Sequence, residues 1–340
     1  MNSIGILYKI RQGCTPRENV GINADLHVNY WKLPIKGGNY DRFIDFGVMV
    51  YEVGNDIDEL YFYFPFEVLE ADLEDLGKSL SQKDLLCLLF GADYELRNGI
   101  STSYTYADTK TEGKLSFWMY QLDKPNFEIV KKQSGTIVKV KIKTHPNNET
   151  VIKEGNYKKD SQKYNLYIRF RVNNITDKNL YNSETLSNDF IQSAFSKTEM
   201  TDIYINDKRS FDKSDYQDLS NMGTFFTFSK FHFFFVGSSC EETVSGQTTY
   251  KDCRPISYAD WAEYLGGHNP QKLMCIAYHW NVDVQNAGCK VFLRTVYSSK
   301  DIYRIIKYSF YVFGMSFLAT LVYDLIKILL SSFMDSINRL

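Results

Sequence analysis

Lys163–Val172, KYNLYIRFRV, alternates from end to end. Successive side chains of an extended strand point to opposite faces. Tyr164, Leu166, Ile168, Phe170 and Val172 therefore share one face, and Lys163, Asn165, Tyr167, Arg169 and Arg171 share the other. A period of two marks a strand, not a helix. Upstream, GTIVKVKIKT (Gly135–Thr144) repeats the device, with Lys139, Lys141 and Lys143 set against Val138, Val140 and Ile142.

More strands are expected outward from these two. RFIDFGVMVYEV (Arg42–Val53) and ELYFYFPF (Glu59–Phe66) read as a hairpin turned at Gly54-Asn55-Asp56. KLSFWMYQL (Lys114–Leu122) and TFFTFSKFHFFFVG (Thr224–Gly237) read as strands, the second too aromatic to be exposed. LMCIAYHWNVDV and CKVFLRTVY form a last pair turned at Asn286-Ala287-Gly288. Helices are expected after the capping-box spacing Ser81-Gln82-Lys83-Asp84 with a stop at Gly91, over Glu184–Phe195, and over Ser257–Leu265. With 25 Tyr and 24 Phe against 7 Pro, the body reads as β-rich. The expected fold class is α+β: an antiparallel-sheet body with a few helices, then one long C-terminal helix. The polar, turn-rich segment 145–156 suggests a boundary, giving domains 1–150, 151–298 and 299–340.

The net charge of −2 implies no bulk attraction to nucleic acid or to an anionic membrane, but the distribution is uneven. Residues 51–100 hold twelve acids and three bases; from Lys124 to Arg171 there are twelve bases and four acids. If the strands at 135–144 and 163–172 share a sheet, Lys139, Lys141, Lys143, Lys163, Arg169 and Arg171 make one cationic face containing Tyr167. Lys158 and Lys159 lie in the turn before it. Cations neutralise phosphate and an aromatic ring stacks a base, so this face suits a nucleotide or a short single-stranded oligonucleotide. Two other readings stand beside it: a solvated basic strand face that discourages edge pairing, and a surface that docks on the acidic run at 67–75.

No enzyme is expected. The phosphate-loop, H-E-x-x-H, G-x-S-x-G and dinucleotide fingerprints are all missing from the sequence. Asp93 with Glu112-Gly113-Lys114 resembles a metal-dependent nuclease spacing only superficially. No cofactor is expected. Cys240, Cys253, Cys275 and Cys289 have long, irregular gaps and no C-x-x-C pair, so they read as small apolar side chains rather than as a metal site. The first twenty residues show no apolar leader, and reduced cysteines are expected.

Beyond Ser298-Ser299-Lys300-Asp301, which again has capping-box spacing, the chain is helical in pattern to its end. Tyr308–Tyr323 contains sixteen residues without formal charge. Continuation to Met334 gives enough length to span a bilayer core of about 30 Å. Tyr308, Tyr311 and Tyr323 sit near its ends as interface anchors, and Lys300, Arg304 and Lys307 flank the start. These features favour a tail anchor with the body in the cytoplasm. The other readings are a C-terminal helix buried against the body and an amphipathic interaction helix. Asp324 and Lys327 are costly at membrane depth unless they pair or line a wet path in a homo-oligomer. Ser316 and Thr320 offer a small-residue face for helix contact.

In layout, the tail at 308–334 together with the basic rows at 139–143 and 163–171 resembles membrane effectors of bacterial anti-phage defence. The resemblance implies an inner-membrane channel or pore, gated by a nucleotide or oligonucleotide ligand. The alternative is a tail-anchored adaptor that binds a protein partner encoded nearby and does not conduct.

Overall fold

The computed structural model describes residues 2–12, 21–35, 39–52, 56–98, 103–122, 126–143, 163–176, 180–184, 196–245, 250–268, 274–284, 288–298 and 302–337. KYNLYIRFRV forms a strand, β11 (Leu166–Val172), and every residue of it is buried. Its apolar face and its basic face are both covered. That double burial sets the architecture.

β11 belongs to the largest of three sheets. Its strand order is β17 (Asp252–Ile256), β18 (Cys275–Asp283), β15 (Thr227–Ser238), β2 (Asn23–Pro34), β3 (Tyr40–Val50), β11, β8 (Phe117–Tyr120), β7 (Tyr104–Thr109) and β6 (Tyr94–Asn98), and β5 (Leu73–Asp75) also pairs with β11. β15 with β2 and β11 with β8 are parallel. The second sheet runs β14 (Thr224–Phe225), β1 (Gly5–Ile10), β4 (Ile57–Phe64), β10 (Gly135–Lys141) and β9 (Phe127–Lys132). The third runs β12 (Tyr181–Glu184), β13 (Ser196–Ile205), β19 (Cys289–Ser298) and β16 (Glu242–Ser245). The chain is thus α+β and strand-rich, as its alternation predicts.

Alternate residues of the large sheet feed two different cores. Leu26, Val28, Phe46, Val48, Ile168, Phe170, Phe233 and Phe235 pack with Ile6, Phe62 and Val138 of the second sheet and Ile203 and Leu293 of the third. The opposite face packs under short helices. Trp31, Phe43, Met49, Tyr167 and Val236 meet Leu80 of α1 (Gly77–Leu80), Leu85 and Leu86 of α2 (Lys83–Phe90), and Trp261 and Tyr264 of α4 (Tyr258–Leu265). A smaller cluster puts Leu219 of α3 (Lys213–Met222) on Leu7, Tyr61, Tyr63 and Ile137 of the second sheet. A sheet covered on both sides cannot show a clean polar face.

Two expected hairpins are corrected. β3 and β4 do not pair, because β3 lies between β2 and β11 and β4 between β1 and β10. β18 and β19 likewise belong to different sheets. In both cases the connection crosses from one sheet to another, since each strand has an apolar face to bury against a different layer. α2 ends at Gly91 in the left-handed conformation (φ 61°), as expected. Its capping box does not form: the Ser81 hydroxyl donates to Gly77 O at 3.0 Å and closes α1 instead.

The large sheet draws strands from both sides of residue 150. The expected division into 1–150 and 151–298 gives way to one compact unit, Met1–Asn182 with Glu199–Thr295, and a second, Ser183–Thr198 with Val296–Leu340. The turn at Gly54-Asn55, the boundary at 145–156 and most of the helix expected over Glu184–Phe195 lie outside the described residues. The second unit contains α5 (Ile302–Ile337), 36 residues long.

Candidate functional site

The helix-side face of the large sheet is a grid set by register. Arg169, Gly47, His27 and His232 form one row across β11, β3, β2 and β15. Arg171, Asp45, Asn29, Phe234 and His279 form the next, reaching β18. Phe43, Trp31, Val236 and Ala277 form a third. Neighbouring side chains in such rows stand close enough to interact. This is how residues from five separate segments come to one surface.

Gly47 makes the first row possible. A Cβ there would collide with the Tyr167 hydroxyl and stand 3.0 Å from Arg169 Nη1. Into that space Arg169 Nη1 donates to Tyr167 Oη at 2.9 Å, and Arg169 Nε donates to Tyr264 Oη at 2.8 Å. Tyr264 in turn donates to Asp45 Oδ2 at 2.7 Å, which also accepts from Trp31 Nε1 at 2.7 Å. Arg171 Nε donates to Asp45 Oδ1 at 2.7 Å. His27 Nδ1 is 3.4 Å from Tyr167 Oη, and His232 Nδ1 is 3.3 Å from His279 Nε2. The Phe234 and His279 rings stack at 4.1 Å.

Above the grid lies a cavity of about 460 Å³, within the usual size of a small-molecule site. Trp31, Tyr51, Phe90, Tyr94, Phe234 and Trp261 give it aromatic walls, and its floor contains His27, Asn29, Arg169, His232 and His279. Lys114, Lys230, Lys251 and Arg254 also line it, against two acids, Asp25 and Asp252. Burial pushes His232 and His279 down to about 4 and His27 well below its ordinary value, with neighbouring positive charge adding to the effect. All three imidazoles are therefore neutral at pH 7. Burial raises Tyr167 and Tyr264, so neither phenol carries charge there either.

Two buried polar atoms beneath this floor, Asn29 Oδ1 and Arg169 Nη2, have no hydrogen-bond partner among the described residues. Asp45 lies 3.7 Å from that Nη2, in ion-pair range only. Among the described residues no group of three or more His, Cys, Asp or Glu is arranged to hold a metal ion. Cys240, Cys253, Cys275 and Cys289 are free thiols.

The basic rows expected from the sequence do not form one face. β10 and β11 lie in different sheets. Lys139 pairs with Glu59 at 2.8 Å, Lys143 donates to Ser103 Oγ at 3.1 Å, and Lys141 is exposed. Lys163 is exposed, 4.0 Å from Glu52, while Lys158 and Lys159 lie outside the described residues. Tyr167, Arg169 and Arg171 are fully buried, so they are not a solvent face. Part of the acidic run meets the basic row inside this chain: β5 pairs with β11, and Glu74 lies 3.5 Å from Arg171. Of the expected ligand residues that are described, only Arg169 lines the cavity. His27, Asn29, Asp45, His232 and His279 were not foreseen. Their signal is polar residues at period two inside otherwise apolar strands, as in NADLHVNYWKLP.

The other face of β2 carries a second buried polar group. Lys32 Nζ lies 3.0 Å from Glu241 and 3.5 Å from Glu199, and donates to Thr295 Oγ1 at 3.2 Å. Arg42 Nη2 lies 2.6 Å from Glu199. Burial lowers Lys32 and raises Glu241 from their ordinary values.

α5 holds the tail residues. From Phe310 to Leu330 its large apolar side chains are 47–74% exposed. Ile305–Ser332 is long and apolar enough to cross a membrane. Thr320 Oγ1 donates to Ser316 O at 3.0 Å, and Asp324 and Lys327 follow within the same span, both exposed. No family model matches the chain, and no curated protein is similar to it.

Proposed function

We propose that this chain is a membrane-anchored oligomeric effector: α5 enters the bilayer, and the body answers to a small ligand in the cavity on the large sheet. The observation that carries the reading is the exposure of α5. Fully burying one Leu, Ile or Phe side chain is worth ~1.5–3 kcal/mol. A row of such side chains left in water over the length of Ile305–Ser332 calls for an apolar surrounding. The flanking Lys300, Arg304 and Lys307 favour a cytoplasmic body. Asp324 and Lys327 favour an assembly in which they face a shared polar path rather than lipid. The likeness in layout to anti-phage membrane effectors supplies a biological setting, with a ligand made on infection and an inner membrane breached in response.

The test is fractionation of the full chain beside a version ending at Ser298, followed by conductance in reconstituted bilayers. The reading expects the full chain in the membrane fraction, the shorter one in the soluble fraction, and ligand-dependent current from the former. Full-length chain in the soluble fraction overturns the anchor. Membrane binding without current under any ligand leaves a passive anchor, and the protein is then an adaptor.

A further inference from the structure

The polar residues of α5 are not scattered round it. At 3.6 residues per turn, Ser309, Ser316, Thr320, Asp324, Lys327 and Ser331 fall within an arc of about 80°. Between Ser309 and Ser332, Phe313 is the one apolar residue in that arc. The rest of the circumference there is apolar or aromatic, apart from Gly314 and Ser332. Three hydroxyls on the stripe are satisfied within the helix. Ser309 Oγ donates to Ile305 O at 3.0 Å, Thr320 Oγ1 to Ser316 O at 3.0 Å, and Ser331 Oγ to Ile328 O at 2.8 Å. The two charges are not satisfied. Asp324 and Lys327, three positions apart, form no ion pair with each other or with any other described residue, and both are exposed.

We infer that this stripe is the surface on which copies of the chain associate, α5 against α5 in parallel, with Asp324 of one copy paired to Lys327 of the next. The pairing rests on the reading of α5 as a membrane segment given above, and it names the occupant of the stripe as a second copy of this chain. Copies that enter a bilayer in one orientation run parallel, which brings Asp324 of each to the same level. Lys327 lies three residues on, about 4.5 Å along the axis, a step its long side chain spans. Each chain carries one charge of each sign on the stripe, so identical chains neutralise one another with no further partner. A different helix would have to bring both signs at this spacing, and a lipid tail brings neither. Ionisable groups at membrane depth face a partner or a wet interior rather than lipid. The small side chain of Ser316 lets two backbones approach along the same line. An arc this narrow has the width of a helix–helix seam.

The experiment measures the mass of the full chain in detergent and in lipid nanodiscs. Wild type is expected to be oligomeric. Asp324→Lys and Lys327→Asp should each lower the association constant at least tenfold, and the two together should restore it to within about threefold of wild type. If a single charge change keeps the chain out of the membrane, uncharged substitutions decide the matter. Oxidation of Ser316→Cys and Thr320→Cys should give cross-linked dimer at least fivefold above Leu318→Cys and Leu325→Cys, which lie on the opposite side of the helix. The parent chain sets the background from its own cysteines. A monomer in nanodiscs, single charge changes that leave the mass unaltered, a charge swap no better than either single change, or equal cross-linking all round overturns the pairing. A chain that is monomeric in the membrane fraction loses the seam and keeps the anchor. One that stays soluble yet cross-links along the stripe keeps the seam and loses the anchor.

Discussion

Gly47 stands directly across from Arg169 in the antiparallel β3–β11 pair, and its missing side chain is the space that the Arg169 guanidinium and the Tyr167 hydroxyl occupy. The demand is steric rather than conformational. Gly47→Ala is expected to destabilise the protein by about 1–3 kcal/mol, as overpacking of a filled interior does. The urea midpoint measures it, and an unshifted midpoint would show that the guanidinium has room to move.

Asp45 is the shared anion of the buried grid. Asp45→Asn keeps the shape but leaves Arg169 and Arg171 without a buried carboxylate, and breaking such a pair costs on the order of 3–5 kcal/mol. Chemical denaturation should show a loss of that size. Arg171→Glu is expected to be at least as damaging, whereas Lys141→Glu, at an exposed position in β10, should stay within about 0.5 kcal/mol of wild type.

The histidine pair makes stability depend on pH in a defined direction. His232 and His279 sit near 4 when folded and near their ordinary 6.5 when unfolded. Between those values the unfolded chain holds more protons, so stability rises with pH across the window. It is fully present above 6.5, falls as the pH drops towards 4, and levels off below. Lys114, Lys230, Lys251 and Arg254 bring positive charge to the same place and oppose protonation there, with Asp252 beside His279 acting the other way. Comparing urea midpoints of wild type and His232→Gln/His279→Gln from pH 7 to 4 isolates this contribution, and parallel curves would count against it.

Asp324 and Lys327 distinguish a wet path from a simple anchor. Replacing both with Leu removes two charges that are costly in the bilayer, so membrane insertion is expected to be intact or improved. Current through reconstituted protein should fall, because a path without polar lining dewets. Equal current in the double variant would remove these residues from conduction.

Much of this fold can be read from period-two spacing. The two faces of KYNLYIRFRV divide as the alternation says, with Leu166, Ile168, Phe170 and Val172 in one core. What alternation does not state is what covers the other face. Arg169 and Arg171 look solvated because basic strand faces usually are, and the groups that bury them are remote: Tyr264 is 95 residues from Arg169, and Asp45 is 126 from Arg171. The hairpins fail for a related reason. Local turn chemistry favours pairing of sequence neighbours, but β3 and β4 each have an apolar face that belongs to a different layer. The site itself left only a faint trace, a His, an Asn and an Asp at same-face positions of β2 and β3, and register alone brings them together.

The parallel pairing of β2 with β15 has a consequence for how the chain is made. Asp25 and Lys230, opposite each other in that pair, are 205 residues apart. Contacts of such separation form slowly, because chain entropy is lost before burial compensates for it. Until β15 has been synthesised, β2 has no second neighbour, and β15 itself is TFSKFHFFFVGS, a stretch prone to stick to its own kind when left open. The last strand, β19, ends at Ser298, and α5 starts at Ile302. The body can therefore finish its sheets only as the apolar helix is about to leave the ribosome. A cell producing this protein must shield an unfinished sheet and a long exposed apolar helix in the same short interval.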